Sequence, residues 1–256
     1  MPEIIVVANQ KGGVGKTTTS INLAAALHKN NHKTLLVDLD SQGNATSASG
    51  LNRSTEKASV YDVLMGLKNI EECFVTSEHD GFTLLPSNSD LMAAEIEMLN
   101  IQNRESVLKE KINSISREFD YILIDSPPSM NILTLNALAA ANKIIIPVQC
   151  EYYALEGMSG LLESIYKIKE TINPNLQIKG VLRTMFDSRN SLSVEVSAQL
   201  KKYFGDKLFW TFIPRNVRLA EAPSHGMSAV SYDPECLGSK AYLSLAKEVT
   251  KKTMES

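Results

Sequence analysis

The residues with the most chemistry in their spacing are Asn9-Gln10-Lys11-Gly12-Gly13-Val14-Gly15-Lys16-Thr17-Thr18-Thr19. Glycines let a backbone curl until successive N–H groups point inward at an anion. The helix that follows, expected from Ser20 to Leu27, turns its positive dipole end toward the same point. Lys16 is then placed to reach β- and γ-phosphates, and the Thr17 hydroxyl to ligate Mg²⁺. The preceding run, Ile4 to Ala8, is short and wholly apolar, as a strand covered on both faces would be. Strand, glycine-rich loop and helix in that order form a phosphate-binding loop. The loop departs from the plain G-x-x-x-x-G-K-[ST] pattern: Gln10 stands where the first glycine belongs, and Lys11 adds a second lysine.

Two acidic segments complete the chemistry. Leu36-Val37-Asp38-Leu39-Asp40-Ser41-Gln42-Gly43-Asn44 places Asp38 and Asp40 at the carboxyl end of an expected strand, the edge on which ligands bind in α/β sheets. Asp38, nearer the strand, is assigned to support the Mg²⁺ shell. Tyr121-Ile122-Leu123-Ile124-Asp125-Ser126-Pro127-Pro128 is a second buried strand ending in an acid, positioned to hold Mg²⁺ or its water.

The elements that must carry these groups alternate along the chain. Further apolar, β-rich runs begin at Thr34, Phe82, Tyr121, Lys143, Ile178 and Leu208, with helical patterns between them. Leu155, Met158, Leu161, Leu162, Ile165 and Ile168 recur at three- and four-residue spacing, one stripe of a helix. Ser89 to Leu99 and Ser191 to Phe204 behave similarly. Such alternation requires crossover connections and a mainly parallel sheet. The expected fold is α/β: a single-domain, three-layer P-loop NTPase with a mainly parallel twisted sheet, spanning residues 1–256.

Composition excludes other classes. The 256 residues are 43% hydrophobic and carry a formal charge of −3, so any nucleic-acid surface must be local. From Arg183 to Arg218, seven basic residues face three acidic ones. This window contains Arg189, Lys201, Lys202 and Arg218, the candidate DNA-binding residues. With no base-reading element evident, that contact is expected to be phosphate-driven and sequence-independent. Cys73, Cys150 and Cys236 are scattered without ligand spacing, and the four histidines sit in no catalytic arrangement. Neither a signal peptide nor a membrane span is legible, which suggests a cytosolic protein.

The loop K-G-G-V-G-K-T from Lys11 to Thr17 resembles the deviant P-loop of the ParA/MinD ATPase superfamily. Asp38 to Asn44 is similar to its D-x-D-P-Q-G-N segment, with Ser41 in place of the proline. Glu151 to Gly157 resembles E-Y-x-A-L-E-G, and Ile213 to Gly226 resembles the I-P-R-N-x-x-[LVI]-x-E-A-P-S-x-G stretch of Soj-type ParA proteins. The resemblance runs from Ile4 to about Val249. It implies ATP and Mg²⁺ as ligands, Asp40 positioning the attacking water, and Lys11 crossing to a partner's nucleotide. It further implies Pro214, Arg215 and Asn216 on the adenine side, and Arg189 and Arg218 toward DNA. The expected protein is a slow ATPase of chromosome or plasmid segregation. As an ATP-bound homodimer it would hold double-stranded DNA until a ParB-type centromere-binding protein stimulates hydrolysis. It would be cytoplasmic and nucleoid-associated, without stable membrane association and without an N-terminal helix-turn-helix extension. A MinD-like membrane-cycling ATPase, a nitrogenase-reductase- or synthetase-like P-loop protein and a nucleotide-dependent scaffold are the rival readings.

Overall fold

A computed structural model describes residues 2–52, 58–152 and 154–254. The elements in order are β1 (Glu3–Val7), α1 (Lys16–Lys29), β2 (Thr34–Asp38), α2 (Asn44–Ala48), α3 (Val60–Leu64), β3 (Val75–Thr76) and β4 (Thr83–Leu85). There follow α4 (Leu91–Glu97), α5 (Val107–Ile115), β5 (Tyr121–Asp125), α6 (Ile132–Ala140), β6 (Lys143–Gln149) and α7 (Ala154–Thr171). The chain continues through β7 (Gln177–Phe186), α8 (Ser191–Phe204), β8 (Leu208–Pro214), α9 (Val217–Glu221), α10 (Ala229–Tyr232) and α11 (Leu237–Met254).

One eight-stranded sheet runs β3-β4-β2-β5-β1-β6-β7-β8. Every pairing is parallel except β3 with β4. The apolar runs explain why both faces are covered. On a strand, alternate side chains point to opposite faces. Ile4, Val6, Leu35, Val37, Ile122, Ile124, Ile144 and Ile146 join one buried cluster, completed by α3 to α8. Ile5, Leu36, Leu123 and Ile145 join the other, completed by α1, α2, α10 and α11. The result is the three-layer α/β arrangement expected from the sequence, and the expected strands fall within a residue or so of their observed places, β7 alone running several residues longer.

The stripe on α7 is buried at Met158, Leu161, Leu162, Ile165 and Ile168; the side chain of Leu155, and Tyr153 just before the helix, lie outside the described residues. The two-residue β3 has too little pattern to be read from sequence. At the other end of the chain, α11 sets Tyr242, Leu245, Ala246 and Val249 into the second cluster against α1 and β8. From Ala246 onward, Ala246 and Val249 are thus packed into the protein's own core. Among the described residues no helix is long and apolar enough to cross a membrane.

The strand order positions the site. β1 lies between β5 and β6, and β5 lies between β1 and β2. The loop after β1 and the ends of β2 and β5 therefore meet at one edge, although their residues are far apart in sequence. Parallel register sets Val7 opposite Asp125 and Asp125 opposite Asp38.

Candidate nucleotide site

The loop from Asn9 to Gly15 closes over the start of α1 by local hydrogen bonds. Asn9 Nδ2 donates to the Pro147 carbonyl at 2.7 Å, and Asn9 Oδ1 accepts from the Lys11 N–H at 3.0 Å. Gly13 and Gly15 take φ of 75° and 88°, the left-handed region where a side chain is strained. Gly15 is also the N-cap of α1 and supplies no side-chain acceptor, so the first helical N–H groups stay available to an anion. Val14 is buried, and its carbonyl accepts from the buried Thr184 hydroxyl at 2.8 Å, which ties the loop to β7. Gly12 and Gly13 are exposed.

Lys16 folds back over this loop, its Nζ donating to the Lys11 carbonyl at 3.3 Å. Burial lowers its pKa, while the charges of Asp125 and Asp40 pull it up. Those carboxylates and Asp38 converge from β2 and β5. Asp125 is fully buried; Oδ1 accepts from Ser20 Oγ at 2.8 Å, and the Thr17 hydroxyl also faces this carboxyl. Its Oδ2 has no hydrogen-bond partner among the described residues. Burial, with the neighbouring Asp38 charge, pushes Asp125 up to about 7. Burial likewise pushes Asp38 up to about 6, against hydrogen bonds from Thr46. A buried carboxylate oxygen without a donor, beside a second acid and a threonine hydroxyl, is suited to a hard cation with oxygen ligands. No cluster of three or more His, Cys, Asp or Glu side chains able to hold a metal by themselves occurs among the described residues. A cation here would complete its shell with phosphate oxygens and water, as Mg²⁺ does.

Asp40 is 8% exposed; its Oδ1 accepts from the Gln42 N–H at 3.0 Å. Beside the loop, Gly15, Thr18, Thr184, Met185, Pro214, Arg215 and Asn216 line a cleft of about 210 Å³. Asn216 caps α9 by accepting from the Arg218 N–H at 2.9 Å. The three residues assigned to a base thus stand next to the phosphate loop.

Lys11 lies elsewhere than over its own loop: its Nζ pairs with Glu151 Oε2 at 2.9 Å, both half-exposed. The candidate DNA contacts are spread over the surface. Arg189 is 89% exposed and pairs with Asp187, whereas Arg218 pairs with Glu221 and Asp233. Lys201 lies 4.5 Å from the Trp210 ring, and Lys202 is exposed. Arg183, part of the basic window, is turned inward: it donates to Ser197 Oγ and to the Phe209 and Trp210 carbonyls. The charge excess of the window therefore overstates its outward basic surface. Sequence reasoning gave no role to Asn9, which it quoted only as the start of the loop, nor to Ser20, Thr46, Ser87 or Thr184. Ser20 had a signal, lying one helical turn after Lys16 on the face that meets β5.

A family profile described as an AAA domain (AAA_31) matches residues 2–178. The chain is 47% identical to the sporulation initiation inhibitor protein Soj of Bacillus subtilis, over 97% of this chain and 98% of that protein. It is 44% identical to the chromosome partitioning protein ParA of Caulobacter vibrioides, over 96% and 93%. A solved structure of cobyrinic acid a,c-diamide synthase from Mycobacterium smegmatis, with bound ADP and magnesium, is similar at a TM-score of 0.86 and 35% identity, covering 98% of this chain and 95% of that one. That likeness supports the fold, while the sequence identities to the partition proteins Soj and ParA are higher than to this synthase. With the phosphate loop, Lys16 and the acids of β2 and β5 in one place, and with partition proteins matched over nearly the whole chain, the chain belongs to the ParA/Soj family of chromosome-partitioning ATPases.

Proposed function

We propose that this ATPase works as an ATP-switched homodimer that holds DNA through phosphate contacts and lets go on hydrolysis. One observation carries the nucleotide chemistry: Lys16, Thr17, Asp38, Asp40 and Asp125 converge where the amino end of α1 meets the ends of β2 and β5, and Asp125 Oδ2 has no partner within hydrogen-bonding distance among the described residues. Phosphoryl transfer needs positioning and charge stabilisation rather than covalent chemistry from the protein. Gly12 to Thr18 cradle the phosphates, and Lys16 neutralises the β- and γ-oxygens. Pro214, Arg215 and Asn216 receive the base. Thr17 and Asp125, supported by Asp38, hold Mg²⁺. When bound, that ion neutralises charge on the phosphate oxygens. Asp40 orients the attacking water.

Lys11 of each protomer reaches the partner's nucleotide. At ~4 Å and an effective dielectric of ~20, one lysine–phosphate contact gives at most about 4 kcal/mol before desolvation. Two reciprocal contacts suffice to make dimerisation depend on the γ-phosphate. Arg189, Arg218, Lys201 and Lys202, doubled in the dimer, bind double-stranded DNA without reading bases. A ParB-type centromere-binding protein stimulates hydrolysis and release, and the protein resides in the cytoplasm on the nucleoid.

The membrane-cycling alternative requires an apolar helical face free to enter a bilayer surface; Tyr242, Leu245, Ala246 and Val249 of α11 are instead packed into the protein's own core. Co-sedimentation with DNA under ATP, ADP and no nucleotide, at two salt concentrations, tests the reading. ATP-specific binding that weakens about a thousandfold between ~50 and ~200 mM salt is expected for ~6 phosphate contacts. Nucleotide-independent binding would sink it. Single-turnover hydrolysis separates the switch from a scaffold, in which hydrolysis would not end the bound state.

A further inference from the structure

The main chain of Asp40 is gripped at both ends by a closed ring of hydrogen bonds. Its N–H donates to Asp38 Oδ1 at 3.2 Å, and its carbonyl accepts from Ser87 Oγ at 2.8 Å. The ring closes through Thr46: Ser87 N–H donates to Thr46 Oγ1 at 2.8 Å, and Thr46 Oγ1 donates to Asp38 Oδ2 at 2.7 Å. The Thr46 N–H reinforces that last link at 2.7 Å. Asp38, Thr46 and Ser87 have no exposed surface.

A backbone N–H can only donate, so Thr46 Oγ1 accepts from Ser87, and it turns its own proton to the Asp38 carboxylate. Ser87 lies two residues beyond β4, which pairs with β2 at Val37 and Leu85; sheet register therefore delivers it to Asp40. Its hydroxyl is not needed merely to satisfy the Asp40 carbonyl, which also accepts from the Gly43 N–H at 2.8 Å. The second donor adds orientation rather than satisfaction.

We infer that Thr46 and Ser87 are positioning residues for the reaction, holding the Asp40 carboxyl in line with the γ-phosphate by clamping its main chain. This rests on the reading of Asp40 as the residue that orients the attacking water. A tilt of the loop by a fraction of an ångström moves that carboxyl without touching the phosphate-binding groups. Because misplacement of about 1 Å costs as much as a hundredfold in rate, loss of one of several clamps should cost about tenfold.

The test is single-turnover ATP hydrolysis by the full chain with saturating Mg²⁺-ATP, alongside ATP affinity and the melting temperature. Ser87→Ala is expected to lower the rate about tenfold with the ATP dissociation constant within about twofold of wild type. Thr46→Val should follow it, and Thr46→Ser, which keeps the hydroxyl, should restore the rate. In an Asp40→Ala background Ser87→Ala should change nothing further, since it acts through Asp40. A wild-type rate for Ser87→Ala beside an inactive Asp40→Ala overturns the clamp and leaves the Asp40 reading intact. So does an equal loss with or without Asp40, or a loss confined to ATP affinity and melting temperature. Wild-type hydrolysis by Asp40→Ala removes the reading underneath.

Discussion

Lys11 Nζ stands 2.9 Å from Glu151 Oε2 of the same chain, a bond between the phosphate loop and the segment just after β6. The amine proposed to reach a partner's nucleotide thus has an acceptor of its own, and the two positions compete. Both side chains are half-exposed, so the pair is worth at most about 1 kcal/mol. Glu151→Gln should free the amine in both protomers and tighten ATP-dependent self-association by up to about thirtyfold. Sedimentation equilibrium with ATP, in an Asp40→Ala background, reads this directly. Weaker association would mean that Glu151 supports the dimer rather than restraining Lys11.

Asp38 and Asp125 face each other in register on neighbouring strands, and burial holds them at about 6 and about 7 against an ordinary 3.8. Between those values the folded, nucleotide-free protein binds more protons than the unfolded chain. Stability from this pair is therefore fully present near the ordinary carboxylate range and is lost as pH rises through about 6 to 7. The melting temperature without nucleotide or metal should fall by several degrees across that window. Asp125→Asn, which cannot ionise, should flatten the slope. A melting temperature that rises over the same window, or an unchanged slope in the variant, contradicts this electrostatic picture.

Much of this candidate site is legible in the sequence, for a physical reason. Phosphate binding needs glycines, a lysine and a hydroxyl on consecutive residues, so Gly12 to Thr17 carries its own signature. Asp38 and Asp125 each end a wholly apolar run, and a parallel sheet places such ends on one edge. The clamp from Thr46 and Ser87 was not legible, because its partners are 41 residues apart and meet only through the pairing of β2 with β4. Arg183 misled for the opposite reason: its charge counts in a sequence window, but only the fold turns it toward Phe209 and Trp210. The core role of α11 was readable from the three- and four-residue spacing of Tyr242, Leu245, Ala246 and Val249.

Lys16 lies 8% exposed between Asp40, Asp125 and the Lys11 carbonyl. Its amine sets a positive charge beside these two acids, so Lys16→Ala removes both phosphate attraction and acid compensation. ATP affinity should drop about a hundredfold, the worth of a desolvated charged hydrogen bond. Equilibrium binding of a fluorescent ATP analogue measures it. Unaltered affinity would move the phosphate site away from this loop.

Arg189 and Arg218 each carry an ion pair on the surface, with Asp187 and with Glu221 and Asp233. Exposed pairs are weak, so a DNA phosphate can replace these carboxylates at little cost. The Arg189 contact holds the Asp187 carboxyl down at about 2, so it stays ionised and opposes DNA at every working pH. Replacing Arg189 and Arg218 by Glu should abolish DNA co-sedimentation while leaving ATP-dependent dimers intact. Conservative loss of charge, Arg189→Gln, should instead weaken binding and reduce the salt slope by about 0.9 for each phosphate contact removed. Asp187→Asn should strengthen binding modestly, since it removes the competitor and keeps the guanidinium. If both glutamate substitutions leave DNA binding unchanged, the contact belongs to Lys201 and Lys202 on α8, and the same salt titration on their Gln variants would show it.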